Sequence, residues 1–355
     1  MTVSWLLLVH NFFTKFLFQK KSVSAKLTFN QRGEIMIRIF QLPNYLQEKV
    51  SSLSEIENFA QAKQQISWID LQNPTPEQIK EVEEEYGINF PTRQQQEEIE
   101  TSSRYLENSG TIKVNSTFIN IIPHSGKLEE HEMSFILTEK TLFTLRYFDS
   151  RVISETVKKI KQFPAVFANP SKIFIAIFEA RIDFDADLIE AVSKYIADIG
   201  RKVTYDRTLD EKMLLKINEF QDLTMSLREA LFDKQRVVSS LHRNEDLMVD
   251  NYNRLRTILK DLSSLIEHAN FNFTRLEYLQ QSFLGFLNIE QNKVIKTFTV
   301  VSLVFMPPTL IASVYGMNFR MMPELNWVAG YPIAIALMVV SSIIPLAIFR
   351  KKKLL

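Results

Sequence analysis

The chain has 355 residues, 42 of them Lys or Arg and 41 Asp or Glu, for a formal net charge of +1. So even a balance gives no reason to expect a nucleic-acid partner, and the absence of cysteine excludes disulfides, thiolate catalysis and cysteine-held metal. The eight glycines are not spaced as a dinucleotide or phosphate loop requires, and there is no nucleophile elbow or metalloprotease pair, so neither an enzyme nor an organic cofactor is expected.

Residues 1–35 are read as an N-terminal over-extension or poorly ordered segment, with Met36 as the expected start. Trp5 to Phe18 is apolar but carries His10 and Lys15, and about 14 residues are short for a membrane span. Residues 36–170 read as an α/β domain. Met36 to Leu42 and Ile66 to Leu71 have the composition and partial alternation of strands. Asn73-Pro74-Thr75-Pro76-Glu77-Gln78 predicts a helix start, with Thr75 as N-cap, Pro76 first and Gln78 closing a capping box; Gly87 ends the helix. Strands over Gly110–Ile122, Met133–Thr138 and Thr141–Tyr147, and a helix over Arg151–Phe163, complete the mixed body. Glu81, Glu83, Glu84 and Glu85 read as a solvated helix face. His124 and His131, with Glu129, Glu130 and Glu132, read as a polar loop rather than a metal site.

Residues 171–249 read as charged helices with a break near Gly200 to Tyr205, presenting a solvated face. From Leu255 through Ile258, Leu262, Leu265 and Ala269 to Phe286, apolar residues recur in steps of three and four, which predicts one amphipathic helix bundled with copies of itself. No proline occurs between Pro170 and Pro307, so the helix is expected to run unbroken over 250–314, on the order of 100 Å.

Thr297 to Val314 carries no charge and follows Lys293 and Lys296; Trp327 to Phe349 is a second uncharged run, closed by a basic tail over 350–355. Both suit membrane spans, joined by a short loop over 315–326 whose one basic residue is Arg320. With the basic residues at the outer ends, both termini are expected in the cytoplasm of a cell-membrane protein. Two spans cannot enclose a water-filled path, so transport would require several copies around an axis. The first span, with Thr297, Thr299, Ser302, Thr309 and Ser313, is the better pore wall. Its Pro307-Pro308 pair frees carbonyls near Leu303 and Val304.

The loop Tyr315-Gly316-Met317-Asn318-Phe319 matches the signature of the CorA magnesium transporters. Met322-Pro323-Glu324-Leu325 matches a second element of that family, and Trp327 with Tyr331-Pro332 and the terminal lysines is similar as well. Trp68-Ile69-Asp70-Leu71 with Asn73-Pro74-Thr75 resembles the family's early strand–helix junction. The resemblance implies a homopentamer with an α/β cytoplasmic funnel, a long stalk helix lining the pore and an outer ring of second helices. It implies that Asn318 forms the outer ring accepting hydrated Mg2+, and that Thr309, Met306, Phe298, Ile295 and Asn292 line the pore below. Phe298 and Ile295 stand where the family often has other bulky apolar residues, and Pro308 is a second proline beside the usual one.

Magnesium dehydrates reluctantly and keeps strict octahedral oxygen geometry. A ring of Asn318 carbonyls suits its shell waters, Gly316 leaves room for close approach and an unusual backbone angle, and apolar rings close a pore by dewetting. Cobalt and nickel are expected as side substrates. The resemblance further implies closure by intracellular Mg2+ held by carboxylates between cytoplasmic domains. Thr257 stands where such a carboxylate is expected, which leaves Asp250 and Asp261 as the nearby regulatory ligands. The alternatives are a zinc transporter of the same superfamily and a non-conducting membrane-anchored scaffold or sensor.

Overall fold

The computed structural model describes residues 36–41, 46–97, 104–108, 110–121, 128–167, 169–206, 210–244, 249–317, 322–323 and 327–351. They divide into two units. The first comprises the described residues up to Gly200 together with Leu215–Glu277; the second comprises Arg201–Leu214 and the residues from Tyr278 onward.

In the first unit the strands are β1 (Met36–Gln41), β2 (Leu46–Val50), β3 (Ile66–Gln72), β4 (Tyr105–Asn108), β5 (Thr111–Ile121), β6 (Leu128–Leu137) and β7 (Leu142–Arg146). They form one sheet in the order β2-β1-β3-β7-β6-β5-β4. Only β3 and β7 pair in parallel, and the crossover between them carries α1 (Pro76–Tyr86) and the short α2 (Arg93–Glu97). Both expected devices bound α1. Thr75 Oγ1 accepts from Gln78 N and the Gln78 side chain accepts from Thr75 N, while Gly87 ends the helix at φ 65°, a conformation glycine adopts without strain.

Alternation along the strands gives the sheet two apolar faces. On one, Ile37, Ile39, Ile69, Leu71, Phe143 and Leu145 bury Val82 of α1. On the other, Phe118 and Phe135 meet Phe174 and Phe178 of α4 (Pro170–Arg201), with ring centroids 4.9–6.1 Å apart. Between β7 and α4 lies α3 (Arg151–Gln162).

Two expectations for the helices are overturned. Residues 171–249 do not present merely a solvated face, for Ile173 to Phe178 are each at most 2% exposed. Helix α4 has the sheet on one side of its N-terminal half and, on the other side, α6 (Tyr252–Tyr315), to which Glu179 and Ser193 bond through Arg254 and Asn272, while Ser171 bonds Asn251 just before it. Nor does the apolar stripe of α6 await other copies. Leu255, Ile258, Leu262, Ile266, Ala269 and Leu276 are buried within this chain, in the layer that α6 shares with α4 and α5 (Glu211–His242). Ile266, not Leu265, is the buried residue of its turn.

The sheet buries charge in two places. Asp70, at the centre of β3, accepts from Arg38 Nε at 2.9 Å, Thr144 Oγ1 at 2.7 Å and Arg146 Nε at 3.1 Å. Burial opposes its ionisation, but Arg146 and Arg38 outweigh burial and hold the carboxyl well below the usual range. At the far edge β4 pairs with residues 111–114 of β5, and among the described residues no other strand pairs with the rest of that edge. Side chains take the place of one. Asp233 accepts from Thr117 N at 3.1 Å, Lys234 donates to Thr117 O at 2.8 Å and Arg181 donates to Ile119 O at 2.8 Å. Asp185 bonds Arg181 and lies 3.4 Å from Lys234 Nζ, and all three side chains are at most 1% exposed.

Replacing Asp70 by Asn leaves Arg146 buried without its counter-charge, and the expected cost is about 3–5 kcal/mol. Because the folded-state pKa of Asp70 is depressed, its contribution is complete above the unfolded value, about 3.9, and is lost as pH falls below it. Denaturant midpoints should therefore separate native chain from Asp70→Asn at pH 7 and bring them closer under acid; an equal gap at both would refute this assignment.

Candidate ion-conduction face

In the second unit the rest of α6 continues to Tyr315, and α7 runs from Gly330 to Lys351. Both are long and apolar enough to cross a membrane, and their most apolar stretches are 0% and 6% buried by the chain itself. The polar side chains inside them are mostly self-satisfied. Thr297, Thr299 and Thr309 each donate to the carbonyl four residues earlier at 2.7–3.0 Å, and Ser341 and Ser342 share Met338 O at 2.8 and 3.1 Å. Helix α6 passes through Pro307 and Pro308 without a break, so the carbonyls of Leu303 and Val304 lack their usual donors.

Helical geometry brings the expected pore residues together. At 3.6 residues per turn, Asn292, Ile295, Phe298, Met306 and Thr309 fall within an arc of about 120°. The chain leaves Ile295 53%, Phe298 69% and Met306 69% exposed. Thr299 and Ser302 share this face, and a groove along it is lined by Ile295, Phe298, Thr299, Ser302, Leu303, Met306 and Pro307. The sequence reading counted these hydroxyls toward the pore wall; the helix shows that Thr299 and Ser302 lie in the groove itself.

At the end of α6, Tyr315 is the last helical residue and Met317 is exposed. Asn318 and Phe319 lie outside the described residues. Gly316 N donates to Ala312 O at 2.9 Å. The reason for this glycine is space rather than an unusual angle: its φ is not among the positive ones, and a Cβ there would sit 3.0 Å from Ala312 O.

The other residues singled out are scattered. Asp250 is exposed in the turn preceding α6 and Asp261 is exposed along the helix, on the order of 15 Å apart by helical rise, so one chain cannot hold one ion with both. Asp261 faces α4, where the Asp183 carboxyl is pushed up by partial burial, against the opposing charge of Lys159 and with the help of Glu179, Asp187 and Asp261. His131 stacks on Phe148 at 4.6 Å and pairs with Glu129 at 3.3 Å, while Glu132 is held by Arg104 at 2.7 Å. His124 lies outside the described residues, and among those described no group of three metal-ligating side chains occurs.

The family model for the CorA-like Mg2+ transporter protein matches residues 63–351. The chain belongs to that family. It is 38% identical over 291 residues to the magnesium transport protein CorA of Wolinella succinogenes, covering 81% of this chain and 91% of the relative. Against the magnesium transport protein CorA of Escherichia coli K12 the identity is 34% over 321 residues, covering 89% and 99%. The CorA family fold is seen again in the complete structure of the CorA magnesium transporter from Methanocaldococcus jannaschii, which is 18% identical with a TM-score of 0.70, over 91% of this chain and 98% of that one. The expected α/β domain, long helix and two C-terminal apolar helices are borne out.

Two glycines of α6 and its end should respond oppositely to alanine. Gly285 has open space where a Cβ would stand, so Gly285→Ala should stabilise by up to about 1 kcal/mol through helix propensity. Gly316→Ala meets Ala312 O and should destabilise by about 1 kcal/mol. Thermal unfolding of the detergent-solubilised protein reads both; equal shifts would remove the steric account of Gly316.

Proposed function

We propose that the chain transports Mg2+ across a membrane through a channel made of five copies, with α6 lining the pore. What supports this reading is one observation above all: the expected pore residues share a single face of an unbroken helix that the family's Gly-Met-Asn loop immediately follows. The family membership and the names of the relatives point to the same cargo.

On this reading residues 36–170 and 171–249 are cytoplasmic, 250–314 is the stalk and first span, 315–326 the outer loop, 327–349 the second span and 350–355 a basic cytoplasmic tail. The basic residues flanking both spans set that orientation in the cell membrane. Asn318 carbonyls receive the ion with its water shell intact, which spares the dehydration that Mg2+ resists. Met306, Phe298 and Ile295 form apolar rings that close by dewetting, and Thr309 and Asn292 supply polar rings above and below them. Co2+ and Ni2+, of similar charge and hydration, pass as side substrates. Cytoplasmic Mg2+ closes the channel by binding the closed arrangement better than the open one. Asp250 and Asp261 each contribute to a different ion, completed by a neighbouring copy. Nothing in this mechanism calls for an enzyme's chemistry or an organic cofactor.

Purified protein in liposomes loaded with a magnesium dye tests the proposal. Native chain should take up Mg2+ rapidly, Asn318→Ala should lose at least tenfold, and high Mg2+ on the cytoplasmic side should suppress uptake. Zinc uptake needing a proton gradient, without Mg2+ uptake, would favour the zinc branch; flux of neither ion by a folded oligomer would favour a scaffold. Phe298→Ala removes the largest apolar ring and should raise Mg2+ leak several-fold at high cytoplasmic Mg2+, where the native channel is shut; an unchanged leak would take Phe298 out of the gate.

A further inference from the structure

We infer that Ser302, with the backbone carbonyl of Leu303, forms a second station for the hydrated cation, midway along the apolar stretch of the conduction face. The inference rests on the channel reading above and goes further by assigning one residue of the pore wall, between the apolar rings of Met306 and Phe298, a water-binding role. Met306 and Ile295 are eleven residues apart, about 16 Å of helix. A pore apolar over that whole length would leave the shell waters of a passing Mg2+ without partners, and the ion gives those waters up reluctantly.

Ser302 divides this stretch. It lies one turn from Met306 and one turn from Phe298, about 6 Å from each along the axis, and lines the groove between them. Its hydroxyl differs from the threonine hydroxyls of the span in having capacity to spare, and it stands deeper in the span than Ser313, between the apolar rings. Thr297, Thr299 and Thr309 each donate to a backbone carbonyl of their own helix. Ser302 is exposed, and among the described residues it has no hydrogen-bond partner. The next residue, Leu303, also lines the groove, and its carbonyl has no donor four residues on because that residue is Pro307. A donor-acceptor hydroxyl and an unpaired acceptor thus belong to adjacent residues of the groove. Five such pairs around an axis would hydrogen-bond coordinated water without touching the ion, as freed backbone groups do where they line a cavity.

The chain contains no cysteine, so one introduced thiol reports its position without background. In the liposome assay Ser302→Ala, which keeps the helix, should lower maximal Mg2+ influx about tenfold. Ser302→Cys should lose influx on treatment with a small hydrophilic thiol reagent, whereas Ile311→Cys, on the opposite side of the helix, should not. Native influx by Ser302→Ala, or a Ser302→Cys channel indifferent to the reagent, would overturn the inference. If Asn318→Ala abolished influx in the same preparations, the channel reading would stand without it. Absence of Mg2+ influx through the native chain would overturn both.

Discussion

Hydrocarbon offers backbone amides and carbonyls no partners, so a chain that enters it must satisfy them itself, and α6 and α7 do so by helical bonding. That constraint leaves a single chain little with which to build an aqueous path. Its backbone is committed, its threonine hydroxyls are returned to that backbone, and two helices cannot surround a channel. The prolines inside the helices are the exception: Pro307 and Pro308 of α6 and Pro345 of α7 withdraw donors and leave carbonyls to be satisfied from outside the helix. A hydrophilic surface within the membrane must therefore come from a few side chains and those carbonyls, arranged between copies.

The same accounting governs the first unit at the sheet edge. Four residues of β4 cannot cover eleven of β5, and among the described residues no further strand does so. Instead Asp233, Lys234 and Arg181 bond the Thr117 and Ile119 backbone. Unpaired, these buried charges would be costly. Burial pulls the Lys234 ammonium down, while Asp185 is kept ionised against burial by Arg181 and Lys234. The result ties α4 and α5 to the sheet and removes an edge on which copies would otherwise pair.

Elements were legible in the sequence where local chemistry alone dictates them. Thr75, Pro76, Gln78 and Gly87 bound α1 as their residue types demand, and the proline-free run before Pro307 gave α6 to within two residues. The strands β2 and β4 were missed because they are edges, and their sequences, Leu-Gln-Glu-Lys-Val and Tyr-Leu-Glu-Asn, lack a buried strand's apolar run. Helix α4 was misjudged because Arg181 and Asp185 counted as solvated when they bond each other. The stripe on α6 revealed a covered face without revealing the cover. Its buried positions from Leu255 to Leu276 include Asn272, paired with Ser193, and are spaced about 3.5 residues apart, the period of helix-on-helix packing wherever the partner originates. At the candidate site, resemblance supplied the pore residues, the composition of the first span its hydroxyls, and helical geometry their common face.

Beyond Phe286 that cover ends: Ile289, Val294, Phe298, Phe305 and Leu310 of α6 are exposed. Lipid suits most of this surface but not all of it. Asn292 and Ser302 project polar groups without partners among the described residues, and they share an arc with Thr299, Met306 and Thr309 of about 120°. Turned to lipid, that arc would leave an amide and a hydroxyl unsatisfied in hydrocarbon. Packed dry against a second copy, it would gain apolar contact but give Asn292 no assured partner. Turned to a water-filled axis shared by several copies, it satisfies both groups while the remaining apolar surface faces lipid and neighbouring helices. The polar residues of α6 therefore favour an axial path on grounds independent of the signature loop.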